Sequence, residues 1–221
     1  MSEEIPFVIL VGGKSKRFGN DKGLTTIFGK TFIQHQLESL LKISRNIFLS
    51  ARDKKQIQHY AEEITSFNAV SFILDESDIT KEKYFQSPLI GMYSIFKHLL
   101  NSNFSKVFLI SCDLPLLKRE IAKLMLRESR GYDCCIPRWN NSYLEPLFAI
   151  YPIQKGYEEA KKNLISSKYR LREILSKDWK INYVSIENKI KPIDKELLTF
   201  YNINTEEDLE ILKNLLGEIR K

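Results

Sequence analysis

Residues 10–22, Leu-Val-Gly-Gly-Lys-Ser-Lys-Arg-Phe-Gly-Asn-Asp-Lys, hold the densest chemistry in the chain. The apolar run Phe7–Val11 reads as a strand that ends here, and Gly12 and Gly13 turn the chain. Glycine lets backbone N–H groups approach and cradle phosphate oxygens. Lys14, Lys16, Arg17 and Lys22 then supply cations enough to neutralise a triphosphate. The spacing is neither G-x-x-x-x-G-K-[ST] nor G-x-G-x-x-G, which disfavours a P-loop and a dinucleotide site. A plain basic strand-to-helix loop is the alternative, and the density of glycine and cation weighs against it. The second candidate lies in Ile110-Ser-Cys-Asp-Leu-Pro115. A carboxylate directly after an apolar strand sits where ligands bind in open α/β sheets. Carboxylates also suit Mg²⁺, which takes one or two of them plus substrate phosphates. A turn or N-cap aspartate ahead of Pro115 is the bland reading of Asp113. Asp75 follows its own apolar run, Phe72-Ile-Leu, in the same way.

The elements that must position these residues are short β-branched or aromatic runs alternating with amphipathic stretches, the pattern of βα units around a mainly parallel sheet. Strands are predicted at 7–11, 46–50, 70–74, 106–110, 134–137, 146–151 and 181–186. Helices are predicted at 31–41, 53–61, 88–100, 118–129, 155–165 and 169–176, with a last one after Asn204. Pro88 suits a first helical position, and Gly131 a C-cap. Thr205 and Asp208 have the spacing of a capping box with a shortened acid. Residues 79–86 read as a polar surface loop. Without repeat, low-complexity tract or linker, 1–221 is expected to be one domain.

Composition narrows the classes. With 43% hydrophobic and 28% charged residues, the 221-residue chain is expected to be a globular protein with a sizeable core. No apolar run approaches the roughly 20 residues of a membrane span, and acidic residues precede the first apolar run where a secretory signal would be basic. A cytoplasmic location is therefore expected. Cys112, Cys134 and Cys135 form neither a C-x-x-C pair nor a disulfide framework, and His35, His59 and His98 lie apart with no zinc-ligand pattern. The net charge of +6 is spread along the chain, as on a lysine-rich solvated surface, and no nucleic-acid-binding signature accompanies it.

Residues 12–22 resemble the G-G-x-S-x-R-[M]-G-x-D-K signature of the molybdenum cofactor guanylyltransferases, with Phe18 where methionine is usual. That family sits among GT-A-like nucleotidyltransferases. The resemblance implies a Rossmann-like three-layer α/β sandwich with a mainly parallel central sheet, the nucleotide-diphospho-sugar transferase-like fold. Cys112-Asp113-Leu-Pro115 is similar to the family's metal-binding motif, which makes Asp113 the preferred Mg²⁺ ligand. Asp75 and the segment Pro88-Leu-Ile-Gly-Met92 match a region that approaches the base. Leu89, Ile90 and Gly91 would pack the guanine, and the same segment also reads as plain helix-start punctuation. Gln86-Ser87 stands where the family commonly has glycine before this proline. Glu145-Pro-Leu-Phe-Ala-Ile-Tyr151 resembles an x-P-L-x-A-x-Y strand near the pterin end. Asn202-Ile-Asn-Thr-Glu-Glu-Asp-Leu209 resembles N-x-N-T-x-x-D-L.

The resemblance implies transfer of GMP from GTP to molybdopterin, in its free or Mo-bearing form, with release of pyrophosphate. Mg²⁺ is the implied cofactor. Leu10, Gly12, Gly13, Lys14, Lys22, Asp75, Leu89, Gly91 and Asp113 are the implied nucleotide-binding positions. Lys22, Arg17 and Asp113 are the implied catalytic ones. Asn202 and Asn204 would put side-chain amides beside the site. Arg170 and Arg172 either hold the acidic end of the cofactor by paired hydrogen bonds or form a solvated helix face. The acceptor phosphate is itself a nucleophile, so no Ser-His-Asp machinery is required. Expected partners are the two substrates, with molybdoenzyme apoproteins or their chaperones downstream, and a monomer or weak homo-oligomer. The rival readings are a CTP-dependent or sugar- or polyol-phosphate nucleotidyltransferase, and a non-catalytic adaptor. Gly12-Gly13 with Asp21-Lys22 favours guanine over the first, and retention of Lys22 and Asp113 disfavours the second.

Overall fold

The computed structural model describes residues 4–12, 21–64, 69–76, 79 and 87–219. The positions of Gly13, Lys14, Lys16 and Arg17, and most of the predicted loop at 79–86, lie outside the described residues.

In chain order the strands are β1 (Phe7–Leu10), β2 (Thr26–Ile27), β3 (Lys30–Thr31), β4 (Ile47–Ala51), β5 (Ser71–Leu74), β6 (Lys106–Ser111), β7 (Cys134–Arg138), β8 (Phe148–Pro152) and β9 (Ile181–Ser185). The helices are α1 (Phe32–Leu40), α2 (Lys54–Glu63), α3 (Pro88–Leu99), α4 (Arg119–Glu128), α5 (Ile153–Ile165) and α6 (Glu206–Ile219). The main sheet runs β5-β4-β1-β6-β8-β7-β9, and β2 and β3 make a separate antiparallel hairpin. Strand β1 lies parallel between β4 and β6, with Phe7 opposite both Ile47 and Phe108. In the main sheet, among the described residues, only β8 runs against its neighbours.

Helices cover both faces, so the central strands are apolar on alternate and intervening positions alike. Phe7, Ile9 and Val11 pack with Leu49, Phe108, Leu37 of α1, Tyr60 of α2 and Ile121 of α4. Val8 and Leu109 face the other way, onto Met92 and Phe96 of α3 and Ala160 of α5. The result is the mainly parallel three-layer α/β sandwich expected from the sequence.

Local signals start the helices where predicted. Thr31 and Gln34 form a full capping box at α1, and Ser87 caps α3 with Pro88 at its first position. Asp208 N donates to Thr205 Oγ1 at 3.1 Å while Thr205 N donates to Asp208 Oδ2 at 2.8 Å, which opens α6.

Three expectations need correction. The predicted helix at 169–176 is a single 3₁₀ turn, Leu171–Ile174. A segment that short cannot sustain an α-helix unaided, and the Glu173 carbonyl is taken by Asn163 Nδ2 at 2.9 Å. The predicted strand at 146–151 starts only at Phe148, because Pro146 has no N–H to give and Phe148 N turns back to Glu145 O at 3.1 Å. Ser129, not Gly131, is the C-cap of α4, and Gly131 takes positive φ two residues later. Among the described residues no helix is long and apolar enough to cross a membrane.

Candidate active site

The carboxyl ends of β1, β4, β5 and β6 bring the predicted residues to one edge of the sheet. Asp113 lies just past β6, and Cys112 N donates to Leu10 O at 3.3 Å, tying that turn to the end of β1. Gln36 of α1 anchors it from below, its Nε2 donating to Ser111 O at 2.8 Å and Leu114 O at 3.0 Å. Ile203 N donates to Asp113 O at 3.2 Å, which brings in the segment before α6. Three stretches remote in sequence then meet at one cation. Lys22 Nζ sits 3.2 Å from Asp113 Oδ2 and donates to Asn204 Oδ1 at 2.7 Å. The side chains of Lys22 and Asp113 are 14% and 21% exposed, open enough for a ligand and covered enough for charge to matter.

The other Asp113 oxygen, Oδ1, is buried and finds no hydrogen-bond partner among the described residues. Buried polar atoms are nearly always satisfied, so each exception asks for an explanation. Such an oxygen fits a hard cation: Mg²⁺ takes one or two carboxylates and draws its remaining ligands from phosphates and water.

Asp75 forms a second centre along the edge. Its backbone N donates to Ala51 O at 2.8 Å, extending the β4–β5 pairing, and Ser50 Oγ donates to its Oδ1 at 2.8 Å. A Cβ on Gly12 would lie 2.5 Å from Asp75 Oδ2, so a side chain there would push this carboxylate aside. A Cβ placed on Gly91 would lie 3.3 Å from Leu10 Cδ2 and 3.6 Å from Asp75 Oδ1, so Leu10, Gly12, Asp75 and Gly91 converge. Leu89, the second residue of α3, has its side chain wholly in the core. Burial pushes the Asp75 carboxyl up to about 6, against the opposing pull of Ser50 and Arg52.

The sign of the resulting pH effect follows from that direction. The folded pKa lies above the ordinary value of 3.8, so ionisation of Asp75 opposes folding. The penalty is absent below the ordinary value, grows as pH rises and is complete above about 6. Asp75→Asn is expected to stabilise the fold by about 2–3 kcal/mol near pH 7.5, and by much less near pH 4.5. Urea unfolding of both proteins at the two pH values checks this; an equal gain at both would assign the effect to something other than ionisation.

Not every predicted position joins. Asn202 is exposed, two residues before the Asn204 that reaches Lys22. Arg170 and Arg172 lie exposed around the 3₁₀ turn that packs beside α5. Among the described residues no hydrogen bond or ion pair links them to the Lys22 cluster. The sequence motif named Glu145 without giving its side chain a role, and Gln56 and Tyr60 were passed over altogether. Glu145 accepts from Trp139 Nε1 at 2.7 Å, and its carboxyl is raised first by burial and also by the charge of Asp113. Gln56 and Tyr60 of α2 are buried against Asp21. The available signal was their i, i+4 spacing on the inward face of that helix.

Comparison with known proteins places the chain in a family. The family model described as the MobA-like NTP transferase domain matches residues 7–181. A probable molybdenum cofactor guanylyltransferase of Pyrococcus horikoshii is 31% identical over 92% of this chain and 96% of its own. A protein of the same description from Methanosarcina mazei is 29% identical over 97% of this chain and 91% of its own. Among solved structures, molybdopterin-guanine dinucleotide biosynthesis protein A from Archaeoglobus fulgidus superposes with a TM-score of 0.76. It shares 24% identity, and the match covers 97% of this chain and 100% of that one.

Proposed function

Because the chain belongs to the MobA-like NTP transferase family and is a nucleotidyltransferase, we propose that it transfers GMP from GTP to the terminal phosphate of molybdopterin, releasing pyrophosphate. The observation that carries this reading is the meeting of Lys22, Asp113 and Asn204 at the sheet edge that also carries the Asp75 pocket.

Guanine offers a ring N–H and an amino group side by side, and an ionised carboxylate accepts both. Asp75, with Gly12 and Gly91 leaving room around it, is suited to that task. Cytosine has no such pair of donors, and a site built for two donors rejects a base that lacks them. The triphosphate then extends toward Lys22, whose ammonium neutralises charge developing on the departing pyrophosphate. Asp113 and Asn204 hold that ammonium between them. Asp113 Oδ1 would hold Mg²⁺, which when bound neutralises phosphate charge and fixes the orientation of the phosphates. The acceptor phosphate attacks the α-phosphorus and the α–β bridging oxygen leaves with pyrophosphate. Positioning and charge neutralisation are therefore the whole task of the protein.

Calorimetric titration with GTP and with CTP, each with Mg²⁺ and with EDTA, tests the base assignment. The expected result is Mg²⁺-dependent binding of GTP at least about 10²-fold tighter than CTP. Tighter binding of CTP would move the assignment to a cytidylyltransferase.

A further inference from the structure

Beneath Lys22 lies a buried polar cluster that phosphate chemistry does not itself require. The Asp21 side chain, only 7% exposed, accepts from Tyr60 Oη at 2.5 Å and from Gln56 Nε2. Arg52 Nη1 stands 3.8 Å from it. Gln56 is used at every polar atom of its side chain: Nε2 also donates to Val11 O at 2.8 Å, and Oε1 accepts from Arg52 N at 2.9 Å. One glutamine thus joins the end of β1, the start of α2 and the residue before Lys22. Tyr60 is fully buried. Burial above all drives its phenol well above the ordinary value, so the hydroxyl remains a donor to Asp21.

Asp21 passes this constraint along the backbone. It caps the 3₁₀ turn Lys22–Leu24: its side chain accepts from Gly23 N at 3.4 Å, and its carbonyl accepts from Leu24 N at 3.0 Å. Gly23 packs so closely that a Cβ there would lie 2.1 Å from Tyr60 Oη. A buried carboxylate with its donors is weak evidence for stability, because apolar residues of similar volume often serve as well. What this cluster does fix is the place of the Lys22 backbone relative to β1.

We infer that Tyr60 and Gln56 are positioning residues for nucleotidyl transfer: through Asp21 they hold Lys22 where its ammonium meets Asp113, Asn204 and the phosphates together. The inference rests on the GMP-transfer reading above. A shift of about 1 Å in a catalytic group can cost about 10²-fold in rate, so a network that only orients Lys22 affects turnover.

A double-mutant cycle separates positioning from plain stability. Tyr60→Phe removes one hydroxyl and keeps the ring; Lys22→Ala removes the group said to be positioned. Single-turnover transfer, with enzyme in excess so that weak variants remain measurable, is compared in wild type, Y60F, K22A and Y60F/K22A. Tyr60→Phe is expected to slow the wild type by about tenfold and the Lys22→Ala protein by less than about twofold. The same factor in both backgrounds, or no effect in the wild type, overturns the inference. Should Tyr60→Phe not fold, Gln56→Met keeps the side-chain length, loses the hydrogen bonds to Asp21, Val11 O and Arg52 N, and enters the same cycle with the same expectation. A wild type that transfers CMP would overturn the guanine assignment and leave the cycle intact. A wild type inactive with every nucleotide would overturn the functional reading and this inference with it.

Discussion

Lys22→Ala should lower the turnover of nucleotidyl transfer by about 10³-fold, roughly 4 kcal/mol of transition-state stabilisation, with a much smaller effect on folding. The size of the effect comes from what the ammonium touches. It stands at the meeting of Asp113 and Asn204, contributed by chain segments 91 and 182 residues away in sequence. Water cannot rebuild that arrangement after truncation, because the charge was fixed before substrate arrived. Lys22→Arg separates charge from place: it keeps the cation, but a planar fork cannot occupy the position of a compact ammonium. Recovery of only about tenfold over alanine is expected from it. Turnover and thermal unfolding of the three proteins check this, and a fully active Lys22→Ala protein would remove Lys22 from the reaction.

Asp113→Asn should be nearly as damaging, with a loss of about 10³-fold at low Mg²⁺. The substitution keeps the shape of the side chain and removes its charge. Oδ2 then attracts Lys22 less, and Oδ1, buried and without a partner among the described residues, becomes a poor acceptor for a divalent cation. Because that oxygen is already unsatisfied, stability should hold or rise slightly, since burying a neutral amide costs less than burying a carboxylate. The diagnostic is turnover against Mg²⁺ concentration. The variant should need far more Mg²⁺ and still fall short, whereas an unchanged Mg²⁺ dependence would place the metal elsewhere.

The parts of the site legible in the sequence were those encoded locally. A strand end followed by glycine or a carboxylate marks the carboxyl edge of a parallel sheet, and Gly12, Asp75 and Asp113 all follow that rule. Helix starts were legible where capping chemistry spans only three residues, as at Thr205, and from apolar periodicity at 31–41. Strand direction was not, since the run at β8 looks the same whichever way it pairs, and its pairing with Val107–Ile110 is a long-range fact. The predicted helix at 169–176 failed for a related reason. Its apolar residues Tyr169, Leu171 and Leu175 pack against the α3–α5 layer, and that docking, rather than helical periodicity, sets the local shape. The Asp21–Gln56–Tyr60 cluster escaped because amphipathicity reads a polar residue as solvent-facing. Gln56 and Tyr60 instead turn inward to a carboxylate 35 and 39 residues away.

The central claim is tested most directly by incubating purified protein with molybdopterin, Mg²⁺ and GTP labelled at the α-phosphate, in parallel with labelled CTP. The expected result is Mg²⁺-dependent transfer of label from GTP into a molybdopterin dinucleotide with one pyrophosphate released per transfer, and little from CTP. Transfer from CTP alone, or GTP bound without any label reaching molybdopterin, would contradict it.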